Sequence, residues 1–224
     1  MDLQVEDSGM KTKTYFCKII MLDGIKNIIF DLGKVIINVY EDRTVRAFEE
    51  LGFEDAQQFY NSSKDDPIYG DYEKGLVTTE RFREMMRRGV GIEITDVDFD
   101  KAWSAMLGDI PVGRKELLKR LSENYKLILL SNTDEMHMRE IFRIQNRRYG
   151  KENLFPWFDR EYYSYMMGIR KPDPAIFEMV LQQSHLEPAE TLYVDDGERH
   201  VRSAETFGIK GVWLQGDLLD LLWN

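Results

Sequence analysis

Three short apolar runs, each ending on polar residues, constrain this chain more than any other feature. They are Asn27-Ile28-Ile29-Phe30 before Asp31, Lys126-Leu127-Ile128-Leu129-Leu130 before Ser131-Asn132-Thr133, and Thr191-Leu192-Tyr193-Val194 before Asp195-Asp196. Gly211-Val212-Trp213-Leu214 is a fourth candidate. A continuous apolar run, unlike an alternating one, marks a strand covered on both faces, as in a parallel sheet. Amphipathic stretches lie between the runs. Val112 to Asn124 carries Leu117, Leu118 and Leu121, and Ala175 to Gln183 carries Phe177, Val180 and Leu181. The alternation predicts an α/β fold, a doubly wound, Rossmann-like parallel sheet.

The spacing is uneven. A βαβ unit needs about 30 residues, yet Asp31 and Ser131 are 100 positions apart. The surplus, roughly 70 residues beyond one such unit, has helical spacing at Arg43 to Leu51, Glu54 to Asn61, Thr79 to Arg88 and Asp96 to Leu107. Thr78 or Thr79 is placed to cap the third helix, with Glu80 in its first turn. These stretches predict a small helical cap, residues 38–110, inserted after the first strand as a lid over its carboxyl end. The core then comprises residues 23–37 and 111–224. Residues 1–22 read as an N-terminal extension, with Met10 and Met21 as alternative starts.

Charge narrows the partners. Forty Asp and Glu residues against 30 Lys and Arg give a net charge of −10. Phosphate backbones and anionic membranes repel such a surface, so neither nucleic acid nor a membrane is an expected partner. A small phosphorylated substrate in a local cationic pocket remains open. The single cysteine, Cys17, excludes an internal disulfide and fits a reducing compartment. No apolar run is long enough for a membrane span, and Glu6 and Asp7 are the wrong sign for a secretory leader. The expected location is cytoplasmic.

In an open parallel sheet, ligands bind outside the carboxyl ends of the strands. Each polar residue there has a plain structural reading. Asp31 fits a turn, Ser131-Asn132-Thr133 an N-cap for a helix starting at Asp134-Glu135, and Asp173-Pro174 an N-cap followed by proline at the first helical position. Lys171 alone reads as a solvated lysine. The pair Asp195-Asp196 is harder to explain that way, because adjacent carboxylates repel unless a cation or a lysine lies between them. Together these groups are an inventory for phosphoryl transfer. It holds a carboxylate nucleophile, hard oxygen ligands for Mg²⁺, and hydroxyl, amide and ammonium groups to neutralise phosphoryl oxygens.

Four motifs, in order, resemble the signatures of the haloacid dehalogenase-like hydrolase superfamily. They are Asp31-Leu32-Gly33-Lys34-Val35-Ile36, Leu129-Leu130-Ser131-Asn132-Thr133, Lys171-Pro172-Asp173-Pro174, and Tyr193-Val194-Asp195-Asp196 with His200-Val201 and Gly208-Ile209 following. The resemblance runs from about Lys26 to Leu214. The insertion resembles a C1 cap, and Tyr69-Gly70-Asp71-Tyr72-Glu73-Lys74-Gly75 with Phe82 is similar to the cap of a subgroup of sugar-phosphate phosphatases, including a glucose-1-phosphatase.

The resemblance implies an Mg²⁺-dependent phosphatase acting on a small phosphomonoester, such as a sugar phosphate, through an aspartyl-phosphate. Asp31 is then the nucleophile and a metal ligand, with the Gly33 carbonyl and Asp196 as further ligands. Asp195 either supports the metal through water or pairs with Lys171. Ser131, Asn132 and Lys171 hold the phosphoryl group. Tyr69, Tyr72 and Glu73 are the candidates for substrate specificity.

One departure stands out. Many family phosphatases carry a second Asp two residues after the nucleophile, as acid for the leaving alcohol and base for water. Here that position is Gly33, although the subgroup shares the Asp-Leu-Gly pattern and is active. Lys34 stands where the subgroup often has Asn or Gly. Two alternatives follow: a metal-independent 2-haloacid dehalogenase, which leaves the acidic pair without work, and an inactive phosphate-ligand-binding module with Gly33 as the lesion. No P-loop or dinucleotide glycine motif is present, and His137, His185 and His200 lack zinc-site spacing. Tyr162, Tyr163, Tyr165, Met166 and Met167 read as core or interface.

Overall fold

The computed structural model describes residues 22–88, 92–149 and 155–222, so most of the expected extension 1–22 lies outside the described residues. Five strands form one sheet: β1 (Asn27–Phe30), β2 (Lys126–Ser131), β3 (Arg160–Tyr163), β4 (Thr191–Asp195) and β5 (Lys210–Trp213). Their order is β3-β2-β1-β4-β5, and every pairing is parallel. The α/β doubly wound expectation holds. The chain builds outward from β1 to β3, then returns to the other side of β1 for β4. That reversal places the topological switch point between β1 and β4, where such sheets bind ligands.

Burial explains why the strands read as unbroken apolar runs. Ile28 and Phe30 of β1 face one core with Leu127, Leu129, Leu192 and Val194, while Ile29 faces the other with Ile128, Leu130 and Tyr193. Alternate side chains enter opposite faces, and helices cover both. All four expected strands fall within a residue of their places. The strand β3 was not anticipated, because Arg160-Glu161 opens it with two charges and leaves no apolar run. Tyr162 and Tyr163 form its buried half.

Between β1 and the next core helix lie α1 (Glu41–Glu50), α2 (Ala56–Asp65), α3 (Pro67–Glu73), α4 (Thr79–Arg87), α5 (Asp96–Trp103) and a 3-10 turn at Ser104–Met106. The helix α3 is an addition to the sequence reading. Asp66 caps it through a bond from the Ile68 N–H, and Pro67 occupies its first turn. Thr78, rather than Thr79, caps α4. These helices bury their own aromatic core, centred on Phe48, Phe82, Phe99 and Trp103. Burying each large ring contributes about 2 kcal/mol.

The remaining helices are α6 (Val112–Leu121), α7 (Glu135–Tyr149), α8 (Ser164–Met167), α9 (Pro174–Ser184), α10 (Glu198–Glu205) and α11 (Leu218–Leu222). The start of α7 is gripped by the lid. Met136 joins the lid's aromatic core, its N–H donates to the Tyr72 hydroxyl at 3.2 Å, and Glu135 accepts from Thr79 at 2.7 Å. The His137 ring stacks parallel to Trp103, with Nε2 3.3 Å from the Trp103 carbonyl.

Candidate active site

Parallel register brings the motif ends to one level. Phe30 pairs with Leu129 and with Val194, so the next residues, Asp31, Leu130 and Asp195, emerge side by side. The Asp31 N–H donates to the Val194 carbonyl at 2.9 Å, which fixes the nucleophile candidate as a continuation of the sheet. Lys171 arrives from the loop before α9 and buries its ammonium among these ends. It donates to Asp31 Oδ1 at 2.6 Å, to Asp195 Oδ2 at 2.6 Å and to the Leu130 carbonyl at 3.0 Å. All three ammonium hydrogens are thereby engaged, two of them on the carboxylates of Asp31 and Asp195.

The two neighbouring aspartates differ in environment. Asp195 is fully buried and saturated: Tyr193 donates to Oδ2, while the Gly197 N–H at 2.7 Å and the His200 ring at 3.0 Å meet Oδ1. Of the two readings open for Asp195, the structure shows the pairing with Lys171. Asp196 is half-buried, with Oδ2 3.9 Å from Lys34 Nζ, and its own carbonyl accepts from the Trp213 indole N–H at 3.0 Å.

Charge follows that division. Burial pushes the Asp31 carboxyl up to about 7, against the pull of Lys171. Burial also opposes ionisation of Asp195, but Lys171, helped by His200, outweighs it and holds that carboxyl below the usual range. Burial and the neighbouring Asp195 charge raise Asp196. Lys171 is held charged: burial works against the ammonium, and Asp31 and Asp195 together overcome it.

Carboxylate oxygens of Asp31, Asp195 and Asp196 all lie within 4.8 Å of one another. Hard, anionic oxygen donors converging on one point suit a small divalent cation such as Mg²⁺, which takes one or two carboxylates and completes its shell with water and phosphate. Two raised carboxyls in this cluster mark sites where a cation would relieve repulsion. Gly33 lies in the loop beyond Asp31, bridged to Ile37. A Cβ built there would meet only Val39, at 3.6 Å, so packing does not demand glycine.

The other expected residues take varied positions. Ser131 ends β2, buried, and its hydroxyl makes only a long 3.4 Å contact to the Asn132 carbonyl, leaving it available to a ligand. The helix α7 is instead capped by Asp134, which accepts the His137 N–H at 2.9 Å. The Asn132 side chain is spent on the lysine loop: its amide donates to the Lys171 carbonyl and accepts the Lys171 N–H, both at 2.8 Å. Both bonds hold the loop that carries Lys171. Asp173 caps α9 as expected, accepting from Ala175.

In the lid, Tyr72 is 2% exposed and stacks on Phe82 with ring centroids 4.2 Å apart. That ring is part of the aromatic core of the inserted helices. Glu73 is buried and pairs with Arg170, the residue before Lys171, at 2.7 Å. Burial raises Glu73 although Arg170 opposes the shift. Tyr69 lies beside Glu73, and burial with the Glu73 charge raises its hydroxyl. Arg170 escaped the sequence reading because it meets Glu73 only through tertiary packing.

Residues 25–208 match the haloacid dehalogenase-like hydrolase family. The chain belongs to that family. It is 32% identical over 186 residues, 83% of its own length and 90% of the relative's, to a D-ribitol-5-phosphate phosphatase from Bacteroides thetaiotaomicron. Among solved structures it resembles a HAD family enzyme from Bacteroides thetaiotaomicron in complex with magnesium and inorganic phosphate. There the identity is 33%, the coverage 84% of this chain and 93% of that one, and the TM-score 0.74. A HAD-like family hydrolase from Porphyromonas gingivalis is 31% identical over 84% of this chain and 90% of that one, with a TM-score of 0.72. The expectations of a phosphatase of this family, with Mg²⁺ as its cofactor, stand. No described helix is long and apolar enough to cross a membrane.

Proposed function

We propose that this protein hydrolyses a small phosphomonoester of a sugar or sugar alcohol through a phosphorylated Asp31, with Mg²⁺ bound. The observation that carries this reading is Asp31 itself, held by the buried Lys171 at the switch point beside two further carboxylates. The substrate class rests on the kinship with a pentitol-phosphate phosphatase.

Asp31, Asp196 and the Gly33 carbonyl would hold the metal, with Asp195 behind them. When bound, Mg²⁺ supplies positive charge that offsets the phosphoryl oxygens and lets Asp31 stay ionised. The chain's own groups do the rest. Lys171 fixes the Asp31 carboxylate in one rotamer for attack on phosphorus, and Asp195 keeps that ammonium charged. Ser131 supplies a hydroxyl to a phosphoryl oxygen, while Asn132 holds the Lys171 loop. Tyr69 and Glu73 stand at the lid side as specificity candidates, Glu73 through its grip on Arg170. A metal-free displacement at carbon would leave the Asp31–Asp195–Asp196 cluster without work.

The test is phosphate release by the purified chain with Mg²⁺ across pentitol, hexitol and sugar phosphates. Turnover of at least one polyol phosphate is expected. Release of none, with chloride freed from a 2-haloacid instead, would overturn the reading.

A further inference from the structure

Lys34 occupies a conformation that its side chain disfavours. Its φ is 61°, in the left-handed region where a Cβ crowds the following carbonyl and glycine or asparagine is the ordinary occupant. The lysine gains little packing there, being half exposed. What it adds is a charge in a fixed place. Nζ lies 2.9 Å from Glu41 Oε1, in the first turn of α1, and 3.9 Å from Asp196 Oδ2. The other Glu41 oxygen is held by Lys64 of α2 at 2.6 Å. Two ammonium groups share one carboxylate, so the trio keeps a net positive charge, tethered by the lid at the edge of the Asp31–Asp196 cluster. A strained backbone retained for a tethered charge beside reactive groups points to function.

In-line attack by Asp31 sets the leaving oxygen opposite the nucleophile. The inner side of Asp31 is occupied by the Lys171 ammonium, itself anchored on the Leu130 carbonyl. The leaving oxygen therefore faces outward, toward the lid, where α1 holds the Lys34 ammonium. Gly33 offers no acid there.

We propose that Lys34 is a catalytic residue whose positive charge stabilises the leaving oxygen, in place of the general acid that Gly33 cannot supply. The proposal rests on the phosphomonoesterase reading above. In the step, an Asp31 oxygen forms a bond to phosphorus, and the bond from phosphorus to the leaving oxygen breaks. The electron pair goes to that oxygen, which takes its proton from solvent water. Lys34 stays protonated throughout and acts by charge and hydrogen bonding alone. Its contribution then grows with the charge left on the departing oxygen, large for an alcohol and small for a nitrophenol.

The test compares Lys34→Asn and Lys34→Arg with the wild type on two substrates, an alditol phosphate and p-nitrophenyl phosphate, with Mg²⁺. Asn accepts the left-handed backbone, so the first variant should fold. Removing one such donor from a partly exposed position is expected to lower kcat on the alditol phosphate about 10-fold or more, with a several-fold smaller loss on p-nitrophenyl phosphate. Lys34→Arg should restore most of that difference. Equal losses on both substrates, or none on either, would overturn the role of Lys34 while leaving the phosphatase reading intact. Wild-type protein that turns over neither substrate would overturn both.

Discussion

Lys171 Nζ lies 2.6 Å from Asp31 Oδ1 inside the fold, where the lysine is 1% exposed. The same ammonium lies 2.6 Å from Asp195, so one cation balances two carboxylates that would otherwise repel each other. Removing one member of a buried ion pair leaves an uncompensated charge, at a cost of about 3–5 kcal/mol. Lys171→Met is expected to lower stability by an amount of that order and to abolish phosphate release. Chemical denaturation of wild type and variant measures the first effect. An unchanged denaturation midpoint would mean that the carboxylates find another partner.

Asn132 tests whether the lysine loop is held by a side chain. Its amide makes two bonds to the Lys171 backbone, each worth about 1 kcal/mol net. Asn132→Ala should therefore destabilise the fold by about 2 kcal/mol and lower kcat more than it raises KM, because the loop positions the nucleophile's partner. Steady-state kinetics beside thermal melting separate the two. A rise in KM alone would indicate direct substrate contact by Asn132.

Gly33 has room for a Cβ, which would meet only Val39 at 3.6 Å. Gly33→Asp should fold and bind Mg²⁺. By adding a carboxyl beside the leaving group it should raise kcat on alkyl phosphates, up to the 10²-fold that marks the lower range of general acid–base catalysis. Phosphate release at matched Mg²⁺ measures it, and a fall in kcat would show that added negative charge outweighs proton transfer.

The lid's grip on α7 gives a pH dependence. Burial opposes protonation of His137, but the Asp134 carboxylate 2.9 Å from Nδ1 outweighs it and raises the imidazole above its ordinary value. A raised folded-state value means that the contribution is fully present below about pH 6.5, the unfolded value, and is lost as pH rises through the folded one. The stability gap between wild type and His137→Gln should therefore be wider at pH 6 than at pH 9. Denaturation at both pH values decides it, and a constant gap would show a neutral, purely packed ring.

Much of this was legible in the chain. The strands β1, β2 and β4 announce themselves by apolar runs, and their polar ends carry Asp31, Ser131 and Asp195-Asp196 to one edge of the sheet. The strand β3 was illegible because an edge strand opening on Arg160-Glu161 needs no continuous apolar run. Residue type alone also could not tell which partners each side chain meets. Asn132 binds the loop and Lys171 binds two carboxylates. The Tyr72 ring packs on Phe82. Such assignments depend on partners distant in the chain.

The central claim is that Asp31 becomes phosphorylated. Rapid acid quench of the enzyme with Mg²⁺ and a ³²P-labelled polyol phosphate, followed by peptide mapping, tests it directly. The expected result is acid-stable, base-labile label on the peptide carrying Asp31, absent from Asp31→Asn, which also releases no phosphate. Steady phosphate release by Asp31→Asn, or label on another residue, would contradict the account.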